Sequence, residues 1–220
     1  MIWNTIQNIF RIEELRQRIY FTLAILFVFR LGAHIPTPGI DGVALTAFFE
    51  AQQGSILRFF DMFTGGALAR LTVFALGVMP YISASIIMQL LTVVFPYLER
   101  LSKEGEAGRK KITIYTRYGT IVLSLVQAFG ISAGLESMAA PDGSPVVIST
   151  MNTWGFRGLT VITLTAGTAF LMWVGEQINE RGIGNGISLI IFAGIVVDIP
   201  GAIINSIRLV QTDQIQPILL

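Results

Sequence analysis

Long apolar stretches separated by short polar segments dominate this chain. A helix of about 20 mostly apolar residues crosses the roughly 30 Å hydrocarbon core of a membrane. Five stretches reach or approach that length: residues 19–35, 71–98, 118–135, 158–175 and 182–207. Among Asp, Glu, Lys and Arg, only Arg30 interrupts the first stretch and only Asp198 the last. The pattern predicts an all-α membrane protein with five transmembrane helices.

These stretches and the polar segments between them give the predicted organisation. In chain order it comprises an interfacial helix (1–18), first span (19–37), external loop (38–70), second span (71–96), cytosolic loop (97–113), third span (114–135), external loop (136–156), fourth span (157–177), cytosolic turn (178–184), fifth span (185–207) and the start of an external loop (208–220).

The distribution of basic residues sets the expected orientation. With the N-terminus in the cytoplasm, ten Lys and Arg fall in or beside cytosolic segments. Four fall outside: Arg58, Arg70, Arg157 and Arg208. The positive-inside rule therefore favours a cytoplasmic N-terminus. Residues 1–18 are amphipathic with mixed charge and lack the features of a cleavable signal peptide. They fit an interfacial helix or a simple polar lead-in to the first span.

Composition agrees with a membrane environment and removes several kinds of chemistry. Hydrophobic residues make up 53% and charged residues 13%, against about 25% charged in a soluble domain. Mean hydropathy is +0.67 and net charge +1, which excludes a basic, DNA-binding module. With no cysteine and a single histidine, His34, the chain cannot build a thiolate site, a histidine metal cluster or a Ser-His-Asp triad.

Two loops carry further signals. A short apolar run ending in Gly65-Gly66 precedes the second span, which fits a re-entrant helix at about 57–70 or a surface hydrophobic loop. The glycine-rich turn 182–186 lacks the Lys-Ser/Thr of a phosphate-binding loop, and we expect it to turn the chain sharply, with Asn185 capping the fifth helix. Pro80 within the second span would cost a hydrogen bond and introduce a kink in a lipid-facing helix, whereas it is tolerated where other helices pack against it.

Few ionisable residues lie within the predicted spans. We expect Arg30 to reach the outer interface by extending its side chain, and Asp198 to lie near the outer end of the last span. No carboxylate or histidine relay crosses the membrane, which argues against a proton-coupled transporter and an intramembrane protease. Two apolar pairs are four residues apart on the second and fifth spans: Val78 with Ile82, and Ile187 with Ile191. Such pairs occur on every membrane helix, and they also suit a hydrophobic constriction.

Several long motifs resemble the SecY family of bacterial protein-conducting channel subunits. The match is carried, in the order of the chain, by residues 36–41, 74–87, 103–111, 116–119 and 176–188. The resemblance implies the N-terminal half, helices one to five, of a ten-helix channel built from two inverted repeats. It implies a passive channel without a cofactor, which passes unfolded secretory proteins across the bilayer and releases signal sequences and membrane segments sideways into it.

The resemblance also implies roles for individual residues. It implies a pore ring of Val78, Ile82, Ile187 and Ile191, with Val78 where Ile is frequent in the family. It implies a plug containing Phe60, Met62, Phe63, Gly65, Gly66, Leu68 and Arg70. One side of a lateral gate would include Ser83, Ile86, Ile87 and Gln127. A supporting cytosolic docking role falls to Lys103, Arg109, Lys110 and Lys111.

Partners and location follow from the same resemblance. The implied partners are small SecE-like and SecG-like membrane subunits, the SecA motor, a ribosome with its nascent chain, signal peptides and membrane lipid. Energy would come from the motor, the ribosome or the membrane potential. The expected location is the bacterial inner membrane.

Three other functions compete with the channel. A dimeric half-transporter requires a polar site at mid-membrane, and a membrane enzyme requires a converging catalytic set; the sequence shows neither. Composition alone leaves open a purely structural subunit. The polar stretch ending at Leu220 suggests part of a longer chain, so we expect these 220 residues alone not to translocate proteins.

Overall fold

A computed structural model describes residues 12–51, 61–62, 64–148 and 152–211. The predicted all-α class is confirmed: these ranges contain helices and isolated β-bridges but no strand. In chain order the helices are α1 (Glu13–Gly32), α2 (Gly42–Ala51), α3 (Met79–Val94), α4 (Pro96–Lys103), α5 (Glu106–Glu136), α6 (Thr153–Arg181) and α7 (Gly186–Gln211).

Within the described residues, α5 and α6 are long and apolar enough to cross a membrane, and α3 with α4 forms a third, broken candidate. In α7 the apolar part runs over Gly186–Gly201. α1 begins at Glu13, so residues 13–18 of the expected interfacial segment are continuous with the first span. Residues 1–11 and 212–220 lie outside the description, and five spans remain a prediction.

Helix α5 is central, because it packs against both α3 and α6. Five of its buried positions recur every four residues and are small: Thr116, Thr120, Ser124, Ala128 and Ser132. Small side chains at this spacing form one stripe along the helix and let neighbouring helices approach closely. The hydroxyls donate to carbonyls of the preceding turn, as Thr120 does to Thr116 at 2.8 Å, so the stripe buries no unpaired hydroxyl.

The predicted second span, 71–96, is helical only from Met79 to Val94. Residues 65–78, here called the irregular segment, are non-helical, with positive φ at Leu71 and Gly77. This backbone pairs with the stretch after α1: Thr37 N–H donates to the Leu71 carbonyl, and Val73 N–H to the Ile35 carbonyl, both at 2.9 Å. Such pairing makes non-helical backbone tolerable away from water.

Two further expectations about this region need correction. Pro80 lies in the first turn of α3, where its missing N–H costs no helical hydrogen bond, so it does not kink the span. The sharp break comes at Phe95, where α3 and α4 meet at 100° and Pro96 opens the new helix. The expected cytosolic loop, 97–113, is mostly helical, because α4 and the start of α5 occupy it.

The turn between α6 and α7 docks against α1 through polar contacts. The Thr22 hydroxyl accepts from the Ile183 N–H at 3.1 Å and donates to the Arg18 carbonyl at 2.8 Å. The Asn179 side chain accepts from the Gly186 N–H at 2.7 Å. The predicted cap at Asn185 is confirmed, since its side chain accepts from the Ser188 N–H at 3.1 Å.

Candidate functional site

The four residues expected to form the ring lie in one apolar cluster. Its buried members come from α1 and the residue after it, the irregular segment, α6 and α7, and Ile82, Ile187 and Ile191 pack against them. Val78 itself is buried, at 6% exposure, whereas the three isoleucines are half-buried. We call Val78, Ile82, Ile187 and Ile191 the ring set. They form part of a continuous apolar surface with no charged member.

Val78 was expected within the second helical span, but it lies just outside the helix. It is the residue before α3, and its carbonyl accepts from the Ile82 N–H at 3.0 Å, which places the two residues one turn apart. On the other side, α7 approaches α6 very closely. A Cβ on Gly186 would be 2.0 Å from the Gly175 carbonyl oxygen, and a Cβ on Gly175 would be 2.6 Å from the flexible Cδ1 end of Ile187, so the two glycines allow this close contact. Backbone capping and close helix packing therefore fix both halves of the ring set.

A stack of aromatic rings holds the irregular segment beside the ring set. Phe74 stacks on Phe29 of α1 with centroids 5.9 Å apart and on Phe170 of α6 at 5.8 Å. Phe170 in turn contacts Trp173. Because Phe74 lies between two helices, it fixes the non-helical backbone that leads into Val78.

Of the residues expected in the plug, Phe60 and Phe63 lie outside the described part of the chain. Met62 and Arg70 are exposed, and Leu68 packs against a second apolar cluster. Instead of a helix continuing to residue 70, the chain turns from Gly65 onward, where Gly65 and Gly66 both have positive φ. The expected helical plug is therefore a turn over residues 65–70.

Asp61 stabilises this turn through hydrogen bonds to residues within it. Its carboxylate accepts from the Ala69 N–H at 2.8 Å, and its carbonyl accepts from the Thr64 hydroxyl at 2.9 Å and the Gly66 N–H at 3.0 Å. Asp61 is buried at 7% exposure, so these hydrogen bonds are shielded from water. Sequence reasoning missed this residue, although an acidic residue within an apolar run was a visible signal.

Arg30 also departs from expectation. Instead of extending to water, its half-buried guanidinium donates from Nη1 to the Gly65 carbonyl at 3.4 Å. A charge within a predicted span was the signal for such a contact, since these residues usually have a partner inside the protein.

Two of the expected lateral-gate residues, Ser83 and Gln127, line a cavity of about 670 Å³ between α3 and α5. Its walls are mainly apolar and include Leu68, Leu71 and Met79. Ile86 and Ile87 are not among its lining residues and are 50% and 46% exposed on α3. The structure thus brings together two of these four residues around one cavity.

The expected docking residues Lys103, Arg109, Lys110 and Lys111 are all exposed. Lys103 pairs with Glu99 one helical turn away at 2.5 Å, and this hydrogen bond holds the pKa of the Glu99 carboxyl below its usual value. Exposed pairs of this kind stabilise a helix only weakly, so Lys103 remains accessible to other partners.

Comparisons with known proteins identify the family. The sequence model of the SecY family matches residues 72–220. Protein translocase subunit SecY of Escherichia coli K12 is 55% identical over 195 residues, 89% of this chain and 43% of the relative. The Aquifex aeolicus protein of the same name is 51% identical over 216 residues, 98% of this chain and 50% of the relative. The chain spans about half the length of such curated relatives.

Solved structures show the same fold at lower identity. A SecY protein whose plug domain is described as stabilising the closed channel has a TM-score of 0.59 and 24% identity, over 84% of this chain and 36% of that one. Sec61 in a canine ribosome–channel complex from the endoplasmic reticulum has a TM-score of 0.57 and 20% identity, over 81% and 36%. Since the family model covers most of the sequence, the chain belongs to the SecY family.

Proposed function

We propose that the chain supplies the N-terminal half of a protein-conducting channel. In this role it passes unfolded secretory proteins across the membrane and releases signal sequences and membrane segments sideways into the bilayer. Its family consists of translocase channel subunits rather than catalytic enzymes. The observation that carries the proposal is the ring set, an apolar surface to which Val78 and Ile82 contribute from the start of α3 and Ile187 and Ile191 from α7.

The chemistry of the ring set suits a passage for varied polypeptides. A translocating chain presents every kind of side chain, so a polar, selective site would bind some of them and stall. Branched apolar side chains bind none tightly, and they resist wetting by hydrated ions when closed. The half-buried state of Ile82, Ile187 and Ile191 leaves part of each side chain free to meet a second half.

The plug and the lateral gate are further parts of this proposal. The turn that begins at Gly65 lies beside the cluster holding the ring set, which suits a stopper that seals the pore. The seam between α3 and α5, including Ser83, Ile86, Ile87 and Gln127, would form one side of a gate. A signal sequence is an apolar helix that lipid stabilises, so a sideways opening lets it partition into the bilayer.

The proposed channel draws its energy from partners. These are a SecA motor, a translating ribosome or the membrane potential, with SecE-like and SecG-like subunits completing the complex. Lys103, Arg109, Lys110 and Lys111 would give supporting contacts on the cytosolic face. The protein would be a multi-pass component of the bacterial inner membrane with its N-terminus in the cytoplasm.

Ion conductance tests the ring. The chain would be reconstituted with the C-terminal half of the Escherichia coli relative, with Ile82→Ser or Ile191→Ser in this chain. Val122→Ser is the matched control, because Val122 is 60% exposed on α5. We expect resting conductance to rise in both ring variants and to stay unchanged in the control. Equal conductance in all three variants would contradict a pore bounded by these residues.

A further inference from the structure

Two elements contact the turn at Gly65 from outside. Arg30 of α1 donates a hydrogen bond to the Gly65 carbonyl at 3.4 Å. Gly194 of α7 lies directly against Gly65: a Cβ on Gly65 would be 3.0 Å from the Gly194 Cα and 3.2 Å from its carbonyl oxygen. Residues 61, 62 and 64–70, here called the plug segment, thus touch two helices that also carry members of the ring-set cluster.

The Gly65–Gly194 contact joins backbone to backbone. A flexible side chain can move aside to admit a new group, but helix backbone at a packed contact cannot do so cheaply. Gly194 is buried, so the surface that Gly65 meets is shielded from solvent. A Cβ at residue 65 would therefore require the two backbones to separate by a few tenths of an ångström.

The plug segment is internally cross-linked. Three hydrogen bonds to Asp61 tie its start to Thr64, Gly66 and Ala69. A segment that carries its own hydrogen bonds can leave its surroundings without exposing all its backbone groups. By contrast, its contact with α1 through Arg30 is one long hydrogen bond, which costs little to break and re-form.

We propose that Arg30 and Gly194 are positioning residues that seat the plug segment against α1 and α7. Undocking breaks the Arg30 hydrogen bond and separates the two glycines while the Asp61 bonds persist. The statement that the docked plug segment seals a pore rests on the proposed function above. The docking of the segment against α1 and α7 rests only on the contacts.

Cysteine labelling tests the seat directly. The chain has no cysteine, and Ala67 is fully buried, so Ala67→Cys gives a single reporter in the plug segment. The informative variant is Gly65→Ala. Its matched control is Gly66→Ala, because both glycines have positive φ but a Cβ on Gly66 would meet nothing within 4 Å. Alanine at either position carries the strain of a positive φ, and only at residue 65 would its Cβ crowd the backbone of α7.

The measurement is the rate of maleimide labelling of the full chain in lipid vesicles. We expect Gly65→Ala to label about tenfold faster than Gly66→Ala, through a shifted local opening equilibrium. Arg30→Met is expected to label about threefold faster than the parent, and Arg30→Lys, which keeps a donor, close to the parent rate. Equal labelling rates in the two glycine variants would overturn the proposal that Gly194 holds the plug segment against α7.

A second reporter separates undocking from general unfolding. Ala128 is fully buried in α5, far along the chain from the plug segment, so Ala128→Cys should stay slow in the Gly65→Ala background. Faster labelling at both sites would also overturn the seat, because it would show global loss of structure. Faster labelling at residue 67 alone, with no rise in conductance of the reconstituted channel, would uphold the seat and contradict the channel proposal.

Discussion

Two non-helical regions flank the ring set, and they are stabilised in different ways. The turn at 182–185 is held by side chains, through Thr22, Asn179 and Asn185. The irregular segment at 65–78 is held by backbone pairing with the stretch after α1 and by the stacked ring of Phe74. In the first region the Asn179 and Asn185 contacts are local in sequence, and each side chain contributes a small part of the stability. The second kind of support leaves no local signal in the sequence and concentrates stability in a few close contacts.

The largest effect is expected at Phe74. Phe74→Ala would empty the space between Phe29 and Phe170 and remove a buried ring, costing about 4 kcal/mol of unfolding free energy. Unfolding of the full chain by SDS titration in mixed micelles measures this loss. Phe192→Ala, at a position 60% exposed on α7, is the control and should cost far less. Similar losses in both would contradict a concentrated role for Phe74.

Gly167 is the next most sensitive position. A Cβ there would be 1.9 Å from the Val73 carbonyl oxygen, so Gly167→Ala must displace the irregular segment and should cost about 3 kcal/mol. Gly158→Ala on the same helix is the matched control, since a Cβ there meets nothing within 4 Å. The control should be neutral or slightly stabilising, because alanine favours helix. A neutral Gly167→Ala would show that the segment is not packed against α6.

In the turn at 182–185, which is held by side chains, Thr22→Val should lower the free energy of unfolding by about 1–2 kcal/mol. Valine keeps the shape but leaves the Ile183 N–H without its acceptor. Thr113→Val is the control, because that hydroxyl only donates to the Arg109 carbonyl at an exposed site. The same SDS titration measures both variants. Equal losses of unfolding free energy would contradict a role for Thr22 in holding the turn.

The smallest effect is expected at Asn185. Asn185→Ala removes the cap of α7 and should cost about 1 kcal/mol, whereas Asn185→Asp keeps an acceptor and should stay close to the parent. Hydrogen exchange at the Ser188 amide reports the cap locally. Unchanged exchange in Asn185→Ala would mean that the cap contributes nothing in solution.

This contrast explains how far the sequence could be read. Uninterrupted apolar runs predicted spans 114–135 and 157–177, which lie within α5 and α6. The Asn185 cap was visible because capping depends on one residue and its near neighbours. Pairing of Ile35 with Val73 joins distant parts of the chain and leaves no periodic pattern, so the non-helical start of the second span could not be foreseen.

In the candidate site, too, some features could be predicted from the sequence and others could not. The ring-set residues were named from resemblance, and the structure gathers them into one cluster. The hydrogen bond from Arg30 to Gly65 had only a general signal, a charge in a predicted span, and its partner lies 35 residues away. Tertiary contacts of this kind depend on the path of the whole chain rather than on local composition.

Site-specific photocrosslinking to a stalled secretory chain tests the proposed channel most directly. A photoreactive residue would replace Ile82 or Ile191 in the chain reconstituted with a complementary C-terminal half, and Val126, 66% exposed on α5, would serve as the lipid-facing control. We expect strong adducts at both ring-set positions and none at the control. An engaged secretory chain that gives no adduct at Ile82 or Ile191 would contradict a pore lined by these residues.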